Sequence, residues 1–129
     1  MIAVDTSALM AIALAEPGAA ACREALEGEG ETLISAGTMA EALIVASRCN
    51  IAEAMYALIE DFGFTIVPVS AATARQVAEA HGRWGKGVHP ASLNFGDCFA
   101  YAVAKEHDCP LLFVGKDFAR TDLKSVKTP

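Results

Sequence analysis

Four acidic side chains carry the chemistry most open to this sequence: Asp5, Glu41, Asp97 and Asp117. Asp5 ends the apolar run Ile2-Ala-Val, and Asp117 follows Leu111-Leu-Phe-Val114 after a Gly115-Lys116 turn. Glu41 and Asp97 sit among small or apolar neighbours, in Ala40-Glu41-Ala42 and Gly96-Asp97-Cys98, where a bare solvent-facing cap gains little. Carboxylates brought together repel one another, and their pKa values rise unless a cation neutralises them. Hard oxygen donors favour Mg²⁺ or Mn²⁺. Such ions activate water and stabilise the leaving oxygen of a phosphodiester, so no serine, cysteine or histidine nucleophile is required. The histidines His81, His89 and His107 have no triad-like partner. Each acid taken alone has a plainer explanation. Asp5 caps a following helix, Thr38-x-x-Glu41 and Asn94-x-x-Asp97 match capping boxes, and Asp117 serves a turn beside Gly115.

The elements that must position these acids alternate between short apolar runs and longer helical patterns. Ile2–Asp5, Thr32–Ser35, Thr65–Val69 and Leu111–Val114 read as strands, the third at an edge because of Pro68. Helices are expected from Thr6 or Ser7 to near Pro17, over Ala19–Glu27, from Thr38 to Ser47, over Ile51–Phe62 after an Asn50 cap, over Ala71–Arg83 and over Phe95–His107. Gly85–Asn94 is a glycine-rich polar loop, and the tail holds one further turn and a short strand near Val126. This alternation predicts a three-layer α/β/α domain over residues 1–129 with a central, mostly parallel sheet. In such folds the site lies beyond the carboxyl ends of the strands. Strand-end acids and acids in the first turns of following helices would converge there.

The composition agrees with one domain of this kind. The chain has 129 residues, 53% hydrophobic and 20% charged, enough to build a core. The longest apolar runs fall well short of a membrane span, and the start lacks the basic and apolar regions of a signal peptide, so a cytoplasmic protein is expected. Cys22, Cys49, Cys98 and Cys109 are irregularly spaced in apolar stretches, which suggests buried free thiols rather than a zinc site. The net charge of −6 argues against general nucleic-acid affinity, yet ten of the sixteen acids lie in residues 1–64 and eight of the ten Lys and Arg residues lie from Arg75 onward. A local positive face is therefore expected in the second half.

Four motifs in order resemble those of PIN-domain ribonucleases, most closely the toxins of VapBC-type toxin–antitoxin pairs. They are Met1-Ile-Ala-Val-Asp5-Thr-Ser7-Ala-Leu, Thr38-Met-Ala-Glu41-Ala, Leu93-Asn-Phe-Gly-Asp97-Cys-Phe-Ala-Tyr-Ala and Leu111-Leu-Phe-Val-Gly115-Lys-Asp117-Phe-Ala-Arg-Thr-Asp122-Leu. The resemblance covers nearly the whole chain. It implies an endoribonuclease that hydrolyses RNA with one or two Mg²⁺ or Mn²⁺ ions, leaving a 5′-phosphate and a 3′-hydroxyl. Asp5 and Asp97 would bind metal directly, and Glu41 and Asp117 through water. Ser7, or less readily Thr6, would orient the first aspartate or a metal water, Asn94 would support the site, and Asp122 is a possible fifth acid with a turn role as its alternative. Lys116 departs from the polar or acidic residue common in relatives.

RNA would cross the basic half, with Arg83, Trp84, Lys86, His89, Lys116 and Arg120 as candidate phosphate or base contacts. Trp84, placed in the glycine-rich loop, is expected to be exposed. The resemblance also implies an antitoxin partner and a homodimer, with Ala8–Ala15 and Ala52–Ile59 as docking helices. Two other phosphodiester or phosphate folds fit less well. An RNase H-like nuclease needs a β-hairpin after the first aspartate, and a haloacid-dehalogenase-type phosphatase needs an aspartate where Ser7 stands. A catalytically inactive module that only binds RNA or protein is the alternative of a different class.

Overall fold

A computed structural model describes residues 1–126. Its elements run β1 (Ile2–Val4), α1 (Thr6–Ala13), α2 (Ala19–Glu27), β2 (Thr32–Ser35), α3 (Ala36–Arg48), α4 (Ala52–Asp61), β3 (Thr65–Val67), α5 (Ala71–Trp84), α6 (Phe95–Glu106) and β4 (Leu111–Leu112), with a 3-10 turn at Phe118–Arg120. The four strands form one all-parallel sheet in the order β3-β2-β1-β4. The strand alternation sorts side chains between two cores. Ile2, Val4, Ile34 and Leu112 face one core with Leu9, Ile12, Met55 and Leu58 from α1 and α4. Ala3, Leu33 and Leu111 face the other with Val77, Trp84, Tyr101 and Val103 from α5 and α6. The sheet is thus covered on both faces, as the α/β/α reading requires.

β1 lies between β2 and β4: the chain runs outward from β1 through β2 to β3 and then crosses back to β4 on the other side of β1. That reversal opens a crevice at the carboxyl ends of β1 and β4, the place where such sheets bind ligands. Asp5 follows β1 and Asp117 follows β4.

Several local expectations are corrected. α3 begins at Ala36 because Ser35, at the end of β2, caps it by accepting from the Gly37 amide at 3.1 Å. Thr38 is fully buried in the first turn and caps nothing. Asn50 does not cap α4; it takes a left-handed φ of 59°, a conformation asparagine tolerates well, and Ile51 precedes the helix without a side-chain cap. β4 stops at Leu112 rather than Val114. Val114 is 43% exposed, and its amide turns to the Ser7 hydroxyl instead of a neighbouring strand. Cys22, Cys98 and Cys109 are buried free thiols, but Cys49, next to the end of α3, is exposed. Near the tail, Ser125 bridges to Leu111 in parallel.

Trp84 is the largest correction. It ends α5 at 9% exposure, and its indole donates to the Tyr101 hydroxyl at 2.9 Å. Tyr101 in turn donates to Asp122 at 2.6 Å. A large apolar side chain at the last position of an amphipathic helix reaches the core, whatever loop follows. Trp84→Phe retains most of the buried area and removes the indole donor. It is expected to cost about 1 kcal/mol, measured as a lower urea midpoint with unchanged slope.

Candidate active site

Asp5 performs a structural and a chemical task with different oxygens. It is the N-cap of α1, and its Oδ2 accepts from the Ser7 amide at 3.0 Å and the Ser7 hydroxyl at 2.6 Å. Its Oδ1 is buried and has no hydrogen-bond partner. A buried carboxylate oxygen left bare is costly unless something positive meets it. Burial pushes the Asp5 pKa up against the lowering effect of the Ser7 bonds, and Glu41 raises it further. Ser7 also accepts from the Val114 amide at 3.0 Å, tying the first acid to the segment that leads to Asp117. Gly115, at φ 111°, turns the chain in a conformation that disfavours other residues.

Asp97 stands in the first turn of α6. The expected Asn94-x-x-Asp97 capping box is present: Asn94 Oδ1 accepts from the Asp97 amide at 2.8 Å, and Asp97 Oδ2 accepts from the Asn94 amide at 3.0 Å. Desolvation pushes the Asp97 pKa up to about 6, despite the Asn94 hydrogen bond, and the charges of Asp5, Glu41 and Asp117 add to the rise. The four acids therefore share one electrostatic environment although they come from four separate segments.

Glu41 does not form the expected box with Thr38. Its Oε1 accepts from the Thr6 hydroxyl at 2.6 Å. Thr6 therefore holds the second acid, while Ser7 holds the first; Thr6 does not orient Asp5, to which it lends no side-chain bond. The other face of the Glu41 carboxylate lies against Gly96 of α6. Asp117 is exposed just before the 3-10 turn, and its side chain makes no capping bond.

Asp122 does not join this group. It accepts from Tyr101 and pairs with Lys105 at 3.0 Å and Arg83 at 3.9 Å. Lys105 lies in the last turn of α6, eight residues from Asp97, about 12 Å along the axis. Desolvation raises the Asp122 pKa, but the Tyr101 and Lys105 bonds outweigh it and hold it below the ordinary value.

Among the proposed RNA contacts, Trp84 is internal and Arg83 stacks on its ring at 4.6 Å. Arg120 donates to the Pro90 carbonyl at 3.0 Å, and His89 accepts from the Ala91 amide while its ring meets Trp84 edge-on. Lys86 and Lys116 are exposed, and neither forms an ion pair among the described residues. Sequence reasoning missed Gly96 and did not anticipate the bond from Thr6 to Glu41. The signal for Gly96 was present as a glycine inside an otherwise strong helical pattern.

Among the described residues, no three His, Cys, Asp or Glu side chains are arranged closely enough to hold a metal ion between them. The chemistry of the donors is nevertheless that which a hard divalent ion prefers. They are carboxylate oxygens, and they include the orphaned Asp5 Oδ1 and a neighbouring aspartate whose charge is disfavoured by its surroundings. Asp5 and Asp97 are the residues that could hold such an ion, and the charges of Asp5, Glu41 and Asp117 all act on Asp97.

Comparison with known proteins agrees with the geometry. The PIN domain family model matches residues 2–124. Ribonuclease VapC42 of Mycobacterium tuberculosis is 39% identical over 129 residues, covering 97% of this chain and 98% of that protein. Ribonuclease VapC36 of the same organism is 42% identical over 125 residues, covering 94% and 90%. Among solved structures, Mycobacterium tuberculosis VapC20, a sarcin-ricin loop cleaving toxin, superposes with a TM-score of 0.81 at 18% identity over the full length of both chains. VapBC2 from Rickettsia felis, bound to a DNA fragment from its promoter, gives 0.71 at 17% identity, with 98% of each chain covered. This chain belongs to the PIN domain family, among its VapC-type members.

Proposed function

We propose that the protein is a Mg²⁺- or Mn²⁺-dependent endoribonuclease acting as the toxin of a toxin–antitoxin pair. The observation that carries this reading is the raised pKa of Asp97 beside a buried Asp5 oxygen without a partner. A cluster of this kind destabilises its own protein and gains from a divalent cation. The curated relatives are named ribonucleases over nearly the same length.

A divalent ion bound here supplies the charge that activates water and stabilises the oxyanion leaving phosphorus. The chain's own residues prepare for that. Ser7 fixes the Asp5 carboxylate through two bonds to one oxygen and leaves the other available. Asn94 orients Asp97 through the capping box. Thr6 fixes Glu41. Lys116 is exposed beside Asp117 and forms no ion pair among the described residues, which leaves it free to meet a phosphate in this reading. Lys86 is the other free cation of the six candidate RNA contacts; Arg83, His89 and Arg120 are engaged within the protein.

An antitoxin partner follows from the same reading, since solved neighbours include toxin–antitoxin complexes. A groove of about 460 Å³ between α1, α2 and α4 has Ile12, Leu58 and Phe62 among its apolar lining and Arg23, Glu27 and Asp61 among its charged lining. It lies on the two helices expected to dock a partner. A homodimer remains part of the proposal on family grounds. No helix among the described residues is long and apolar enough to cross a membrane, and a cytoplasmic site of action suits an RNA substrate.

The test is cleavage of end-labelled total cellular RNA with Mg²⁺ or Mn²⁺. The wild type is expected to cleave at discrete positions, EDTA to abolish cleavage, and Asp97→Asn to remove it. Equal cleavage by wild type and variant would point to a contaminant. A folded wild type that neither cleaves RNA nor binds Mn²⁺ would instead support the inactive binding module.

A further inference from the structure

We infer that Gly96 is a positioning residue for the proposed hydrolysis: the absence of its side chain creates the space in which the Glu41 carboxylate enters the acid cluster. The inference rests on the reading of Glu41 as part of the active site and adds a residue to it.

Gly96 is the second residue of α6, where glycine weakens a helix relative to alanine. Its φ is not in the left-handed region, so backbone conformation does not call for glycine. A Cβ built on Gly96 would overlap the Glu41 carboxylate, Oε2 first and then Cδ and Oε1. The carboxylate is the far end of a flexible, half-buried side chain, so it would move aside, and moving takes it out of the position it holds beside Gly96. Its other side is tethered from α1 by the Thr6 hydroxyl, and Glu41 itself is carried on α3. Three helices thus clamp one carboxylate, with α6 contributing bare backbone.

Gly82 provides an internal control. It also lies within a helix, α5, and a Cβ there would meet nothing within 4 Å. Gly82→Ala therefore reports helix propensity alone. Gly96→Ala combines the same gain with expulsion of Glu41.

The distinguishing experiment is a thermal-melting cycle in EDTA, together with cleavage assays in Mn²⁺. Gly82→Ala is expected to melt at or slightly above the wild-type temperature. Gly96→Ala is expected to show a melting shift different from that of Gly82→Ala when Glu41 is present, because displacing the carboxylate strains its Thr6 bond and changes the repulsion within the acid cluster. In the Glu41→Ala background the same substitution is expected to behave like Gly82→Ala, since its collision partner is gone. In the RNA assay, Gly96→Ala is expected to lower kcat at least about tenfold, as for a misplaced catalytic group, with less change in KM. Glu41→Asp shortens the side chain by one methylene. The double variant Gly96→Ala/Glu41→Asp is therefore expected to cleave faster than Gly96→Ala alone. Equal melting shifts for Gly96→Ala in both backgrounds, or a double variant no faster than Gly96→Ala, would overturn the inference. If the wild type cleaves no RNA, the functional reading fails, and the melting cycle still decides whether Gly96 makes room for Glu41.

Discussion

Asp5→Asn is expected to lose RNA cleavage by about a thousandfold and, in EDTA, to melt roughly 3 °C or more above the wild type. The two effects have one origin. Asp5 is only 3% exposed, its Oδ1 has no partner, and Glu41 and Asp97 share its field. Without a cation, ionised Asp5 therefore costs stability at neutral pH. Asparagine keeps an oxygen for the Ser7 amide and hydroxyl, so the α1 cap survives, while the charge disappears. The same loss of charge removes an anionic donor from the proposed metal site, so the stabilised variant is the inactive one. Addition of Mn²⁺ should raise the wild-type melting temperature and leave that of Asp5→Asn nearly unchanged. The paired measurement is a thermal melt and a cleavage time course on the same preparations. A variant that is inactive but less stable than the wild type in EDTA would assign Asp5 a structural role through its cap and remove the argument for a cation.

Much of this arrangement was legible in the sequence because it depends on local signals. β1, β2, α2 and the start of α6 follow from short apolar runs, glycine and asparagine punctuation and helical spacing, and Asp5 and Asp97 are placed by the ends of those elements. What escaped depends on contacts across the fold. Trp84 is the last residue of a helix that local signals end at Arg83, and the reach of its ring to Tyr101 joins residues 17 apart in the chain. β4 ends early because Ser7, 107 residues away, takes the Val114 amide. The Thr6–Glu41 bond replaces a capping box that the local spacing favoured, since Ser35 already caps α3. Asp122 was drawn towards the active site by its place in the fourth motif, but Tyr101 and Lys105 hold it.

Stability without divalent ions is expected to fall as pH rises from about 4 to 7, and saturating Mn²⁺ to remove or reverse that fall. Asp97 sets the window: its pKa is about 6 in the folded protein against 3.8 for the free side chain. Between those values the folded state binds more protons than the unfolded chain, so the free energy of unfolding decreases with increasing pH. The loss is complete about one pH unit above the folded pKa, near pH 7. Because Asp97 is partly solvated, the change is on the order of 1–2 kcal/mol rather than the full value of the shift. Asp5 is shifted in the same direction and adds to the slope. Asp122 acts oppositely, since its lowered pKa contributes stability above its unfolded value that is lost in stronger acid, outside this window. A metal that requires the ionised carboxylates binds more tightly as pH rises and displaces protons. At a hundred times its dissociation constant it would add about 2.7 kcal/mol, enough to exceed the electrostatic loss near pH 7. Urea melts at pH 5, 6 and 7, with EDTA or Mn²⁺, should therefore diverge with increasing pH. Parallel curves would mean that the carboxylates titrate without a shared cation. Divergence that persists in Asp97→Asn would place the ion elsewhere.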